Sequence, residues 1–255
     1  MVPAASTAAS QVASRIVDAL APVTVAGFRL AARLRGARAF HPKGTTFGGR
    51  ARFPVGGGPP GFPTGEYRAV VRFSRGAGLP DTLPDVLGIG LRLVDADGPD
   101  RHQDLLLASS WPSVAGRRLL RPGRSFTGDT FFSSLLAYEA AGRRVLFAAR
   151  VAGTEPVELG RIADVLVRGR AVHLLWATPG GDWQALGEVH LGEMLGEVED
   201  ARLDLDPYHT VPDLVPVGVL NQLRRPTYAA SRAGRHAARG DDPAVTAPTA
   251  TRPGA

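Results

Sequence analysis

His41 is the residue of this chain best suited to moving a proton near neutral pH. An imidazole ionises near pH ~6.5, so it can take up a proton and return it within one turnover. It stands in Arg38-Ala39-Phe40-His41-Pro42-Lys43-Gly44, where a surface turn set by the proline is its plainer role. A second group centres on Tyr228, with Arg224 four residues before it and Arg235 seven after. On a helix those steps bring the three to roughly one face, with Pro226 the awkward point. A phenol with an ordinary pKa near ~10 ionises at pH 7 only beside a cation or a bound metal, and Arg224 would be that cation. A basic surface helix that also uses Arg225 and Arg232 would read the same way. The third group, Arg72-Phe73-Ser74, ends an expected strand. It offers a guanidinium for an anion and a hydroxyl that could orient an imidazole; an edge strand facing water would offer no more than that.

The elements that must carry these groups follow from periodicity and turn residues. Helical spacing runs through residues 10 to 35, interrupted near Pro22. Strands are expected at Thr45 to Phe53, Glu66 to Ser74, Leu87 to Val94, Gln103 to Ala108, Val145 to Val151, Ala171 to Ala177, Trp183 to Leu191 and Ala201 to Leu205. Gly56 to Pro63 reads as a loop and Pro179 to Gly181 as a hairpin turn. Helices are expected at Phe126 to Ala141, Val157 to Leu166 and Leu214 to His236. The fold class expected is α+β, an antiparallel β-barrel of about eight strands with flanking helices. The expected division is a helical region over 1–37, the barrel and a last helix over 38–238, and a disordered Pro/Ala/Thr tail over 239–255.

Composition narrows the chemistry. The 255 residues are 44% hydrophobic, enough for a sizeable core, and 31 Gly and 21 Pro suit short strands joined by turns. With no cysteine, disulfides, thiolate metal sites and cysteine nucleophiles are excluded. The net charge is +6, carried almost wholly by arginine, with Lys43 the single lysine. An arginine surplus suits nucleic acid, an anionic surface or an anionic cofactor, though a codon bias accounts for most surface arginines. No nucleic-acid motif accompanies the charge, so no nucleic-acid partner is expected. No run of about 18 apolar residues suggests a membrane span and the N-terminus lacks the form of a secretory signal, so a cytoplasmic location is expected.

The three groups together, in their order and spacing, resemble the haem-dependent catalase family over roughly Arg38 to Arg235. Arg38 and Gly44 flank His41 as in that family, and the likeness continues through Gly78, Asp81, Asp85, Gly88, the strand from Ile89 to Val94 and Asp104-Leu105. The resemblance implies haem b with Tyr228 as proximal iron ligand, supported by Arg224. It implies His41 as distal acid-base, oriented by Ser74, and Arg38, Arg72 and Arg235 as partners of the propionates. Phe40, and Phe131 or Phe132, would lie near the haem. The pattern departs where catalases carry a distal Asn: the chain reads Leu107-Ala108-Ser109-Ser110, with Ala108 the nearest counterpart. Ala also follows Tyr228 where catalases commonly continue Pro-Asp, and no C-terminal flavodoxin-like domain or wrapping arm is evident.

The short form is similar to minimal catalase-related peroxidases and, more distantly, to allene oxide synthases. What this implies is a haem peroxidase that reduces organic hydroperoxides through a ferryl intermediate, using a small organic electron donor, with weak or no catalase activity. Two alternatives stand beside it: a hydroperoxide rearrangement of the allene-oxide-synthase type, and a haem- or ligand-binding barrel without turnover. A homodimer is compatible with either. His102 with Asp104, and Asp204, Asp206 and His209, lack any recognisable metal-ligand spacing and read as turn residues. A Ser109–His41–Asp triad has no Gly-x-Ser-x-Gly elbow to support it.

Overall fold

Strict alternation builds the barrel wall. Along Gly65–Arg75, Ala69, Val71 and Phe73 project to one side and are buried, while Arg68, Val70, Arg72 and Ser74 project to the other. The computed structural model describes residues 43–164 and 171–218. In chain order its strands are β1 Lys43–Phe53, β2 Gly65–Arg75, β3 Leu87–Leu93, β4 Gln103–Ser110, β5 Phe131–Ser133, β6 Tyr138–Ala140, β7 Arg143–Val151, β8 Ala171–Ala177, β9 Gln184–Met194 and β10 Leu214–Pro216. All named pairings are antiparallel. Because β7 also pairs with β8, the order β7-β5-β4-β3-β2-β1-β9-β8 closes into an eight-stranded barrel. β6 and β10 extend from β7 outside that ring.

The barrel is filled, not hollow. Phe47, Val71, Phe73, Ile89, Leu91, Leu105, Leu107, Phe132, Phe147, Leu174 and Val189 belong to one buried cluster. Phe73 meets Phe47 edge-on at 5.8 Å and Phe126 at 5.5 Å between ring centroids. Phe126 enters this core from the β4–β5 connection.

Several expected elements fold otherwise. Phe126 to Ala141 is not a helix but β5, a turn and β6. Phe131-Phe132 and Leu135-Leu136 mimic helical spacing, yet consecutive phenylalanines here point to opposite sides of a strand and both are buried. Ser134 commits the turn: its hydroxyl donates to the Leu136 carbonyl at 2.8 Å and accepts from Phe147 N–H at 3.2 Å. Within Val157 to Leu166 the described part holds a 3-10 turn, Leu159–Arg161. Ala201 to Leu205 is not a strand. A short helix, α1 Glu197–Arg202, runs through Ala201 and ends at Leu203, with Glu197, Glu199 and Asp200 in its first turn, as a helix dipole favours. The Leu214 to His236 helix is replaced at its start by β10. Among the described residues α1 and the 3-10 turn are the complete helical elements, and the expected helix at 10–35 lies outside them.

Phe73→Ala is expected to destabilise the barrel by about 3–5 kcal/mol in urea unfolding. Val55→Ala, at a side chain 90% exposed, should stay within about 0.5 kcal/mol.

Candidate functional site

Strand register decides which side chains share a face. Across β1, β2, β3 and β4, Gly44 lies opposite Ser74, Ser74 opposite Gly88, and Gly88 opposite Ala108; Ser133 on β5 continues the row. Directly opposed residues project to the same side, so this outer row carries nothing larger than a serine. The next row is Thr46, Arg72, Gly90 and Leu106, and the one beyond is Gly48, Val70, Arg92 and Asp104.

The second and third rows are covered by residues 200–211. Asp104, with no exposed surface, takes a two-pronged contact from Arg92 at 2.8 and 2.7 Å. The same carboxylate accepts Asp206 N–H at 2.9 Å, and His209 Nδ1 lies 3.1 Å from it. The same Nδ1 lies 3.1 Å from Arg92 Nη2, so it donates to Asp104 in the Nδ1–H tautomer and accepts from Arg92 in the Nε2–H tautomer. Arg92 also donates to the Asp204 carbonyl at 2.6 Å, and Asp104 N–H to that of His209 at 2.7 Å. The two clusters that sequence spacing leaves as separate turn residues therefore meet in one network. Among the described residues no group of His, Asp and Glu is arranged to hold a metal. His102 accepts Asp95 N–H at its Nδ1 (3.1 Å); burial and the nearby Arg92 charge lower its pKa, in keeping with a neutral ring.

This strap sets what lies over the second row. Gly90 is glycine because a methyl there would run into Leu205. α1 brings Asp200 onto Arg72, Nε to Oδ1 at 2.7 Å, and Thr46 donates its hydroxyl to the same oxygen. The Arg72 side chain is only 7% exposed, and its guanidinium packs so closely on Gly44 that a Cβ at that position would collide with it. Ser74, also buried, donates to the Gly88 carbonyl across a long 3.4 Å. Beyond it, the 76–86 loop is wrapped on buried Arg75, which donates to the carbonyls of Leu79 and Pro80 at 3.1 Å and of Leu83. Asp85 completes that loop by accepting from Ala77, Leu79 and Val86 N–H.

Of the residues singled out from sequence, Arg72 and Ser74 are on this outer face, on adjacent rows. Arg38, Phe40, His41, Arg224, Tyr228 and Arg235 lie outside the described residues. β1 begins at Lys43, opposite Arg75, so the chain enters the barrel at the small-residue row, two residues after His41. Ala108 shares that row with Ser74. Ser109 faces the other way: its hydroxyl accepts Leu87 N–H at 3.0 Å, so it cannot serve as the polar substitute beside Ala108. Phe132 points into the core, stacked with Phe126 at 6.0 Å, and does not line the outer face. Phe131 is buried against Trp183 at 5.2 Å with Arg150 over its ring. Asp200 was not legible as a partner of Arg72, because 128 residues separate them.

No family model matches the chain, and no curated protein matches it in sequence. Solved structures do. A fungal catalase matches with a TM-score of 0.58 at 15% identity, over 76% of this chain and 58% of its own. Catalase A from Saccharomyces cerevisiae matches at 0.57 and 12% identity, over 77% and 60% respectively. The fold is catalase-like. The match spans about three fifths of each catalase's length.

Toward a flat, largely apolar group such as haem, the small-residue row offers buried Ser74, Gly88 and Ser133 and half-buried Gly44 and Ala108. The small-residue row presents no bulky side chain, Ser74 adds a hydroxyl, and Arg72 lies one row away with Asp200 already beside it.

Burial alone would raise the Asp104 pKa, but hydrogen bonds from Arg92 and His209 outweigh it and hold the carboxyl below its usual range. A depressed carboxylate stabilises the fold above its unfolded pKa, near ~3.9. That contribution is lost as pH falls through the lower folded value. Urea unfolding across a pH series should therefore show stability falling below about pH 4. Asp104→Asn should be about 3–5 kcal/mol less stable at pH 7, with a shallower acid limb; equal limbs in the two proteins would refute this account of Asp104.

Proposed function

We propose that this chain is a haem-dependent peroxidase built on a catalase-like barrel, with haem b against the outer face of β1–β4. The observation that carries the reading is the row Gly44, Ser74, Gly88 and Ala108 on a catalase-like wall. Tyr228 would ligate the iron as phenolate, with Arg224 holding its charge, and Arg38, Arg72 and Arg235 would face the propionates. When bound, the haem supplies the two-electron reduction of a peroxide, and a small organic donor restores it. His41 would take the proton from the bound hydroperoxide and return it to the leaving oxygen, its ring oriented by the Ser74 hydroxyl. Phe40 would cover one side of the pocket.

Ala108 on the Ser74 row favours organic hydroperoxides over hydrogen peroxide, since no amide is there to orient the smaller molecule. It equally favours a second reading, a haem- or ligand-binding barrel with negligible turnover.

Protein expressed with a haem supply should show a high-spin ferric Soret band that is lost or shifted in Tyr228→Phe. A colourless parent that takes up no added haem would end the peroxidase reading. In the haem-loaded protein, Ala108→Asn should raise hydrogen peroxide turnover by about tenfold or more, as expected for a restored polar group at the reacting oxygen, measured as oxygen release.

A further inference from the structure

We propose that Asp200 is an internal competitor for the anion site of Arg72, and so sets how tightly this barrel face holds a carboxylate-bearing ligand. The inference rests on the haem reading above and assigns to α1 a role in that site. Arg72 is confined. Gly44 lies against one side of its guanidinium, α1 lies on another, and Nε and Nη2 reach the two oxygens of Asp200 at 2.7 and 3.4 Å. Thr46, itself buried, fixes the carboxylate by donating to Oδ1. The Asp200 side chain keeps 21% of its surface exposed against 7% for Arg72, so a ligand approaching Arg72 from solvent meets a carboxylate already in the position its own would take. Two anions cannot share one guanidinium at full strength, and a charge-assisted contact is among the strongest a ligand can gain. α1 buries none of its side chains, so Asp200 can be changed without opening the core.

The test is an absorbance titration of the full chain with ferric haem, and with haem dimethyl ester, whose propionates carry no charge. Asp200→Asn keeps the shape of the side chain and removes its charge. It is expected to bind haem about tenfold more tightly than the parent, with no change for the dimethyl ester and no gain when Arg72→Met is added. Thr46→Val, which loosens Asp200 without altering any charge, should shift haem affinity the same way by a smaller factor, and it decides the matter if Asp200→Asn does not fold. Equal haem affinity in parent and variants overturns the proposal and leaves the haem reading standing. No uptake by parent or variants, all with cooperative thermal unfolding, overturns both. Uptake by Asp200→Asn alone upholds the proposal and removes the haem reading for the unaltered chain.

Discussion

Asp104 is a carboxylate without contact with water, and the outer face of the barrel is organised by what that requires. A buried charge is tolerated only when paired and hydrogen-bonded. Arg92, directly opposite on β3, supplies the pair, and the Asp206 N–H and the His209 ring supply the remaining contacts. These partners draw residues 204–211 across β3 and β4. Leu205 is thereby laid on Gly90 and α1 above β1 and β2, which puts Asp200 on Arg72. Such a pair adds little net stability over apolar side chains of the same size; its effect is to fix where the strap crosses the sheet. The environment of Arg72 is thus set from a carboxylate on a strand two away from its own.

The strap also divides the face. Two rows are closed over by residues of the same chain, while the third carries only Gly, Ser and Ala from β1 to β4. Ser133, next in that row on β5, gives its hydroxyl to the Arg117 carbonyl, and from β1 to β4 the row has one hydroxyl, Ser74, with Gly88 between it and Ala108. The neighbouring Ser109 cannot supply a second, because strand alternation turns it to the other side and Leu87 N–H occupies it.

How far sequence went depends on the range of the forces involved. Alternation located β1 to β4 and β7 to β9 within a residue or a few, because each long strand buries one face and the pattern is local. It failed at β5 and β6, where three-residue strands are too short to show a period and Phe131 and Phe132 are both buried. It failed at α1, where a strand was expected from Ala201 to Leu205 and a helix runs through Ala201 instead. The site was half legible. Arg72 and Ser74 do stand at the end of a strand on one face, as the tripeptide suggested. The partners Asp200 and His209 come from more than a hundred residues away, and no local pattern marks a residue for a contact at that distance.

Barrel closure has a consequence for how the chain folds. Strands β1 to β5 can pair as each appears, but β1 finds its second neighbour only in β9, with Arg50 opposite His190, 140 residues later. Loop closure over that length makes the last seam a slow, non-local event. During synthesis the β1 edge has to wait with its backbone groups open to water and to other chains. Arg50 and Arg52, alternating outward along that edge and exposed in the finished barrel, are the kind of charged residue that discourages edge-to-edge association.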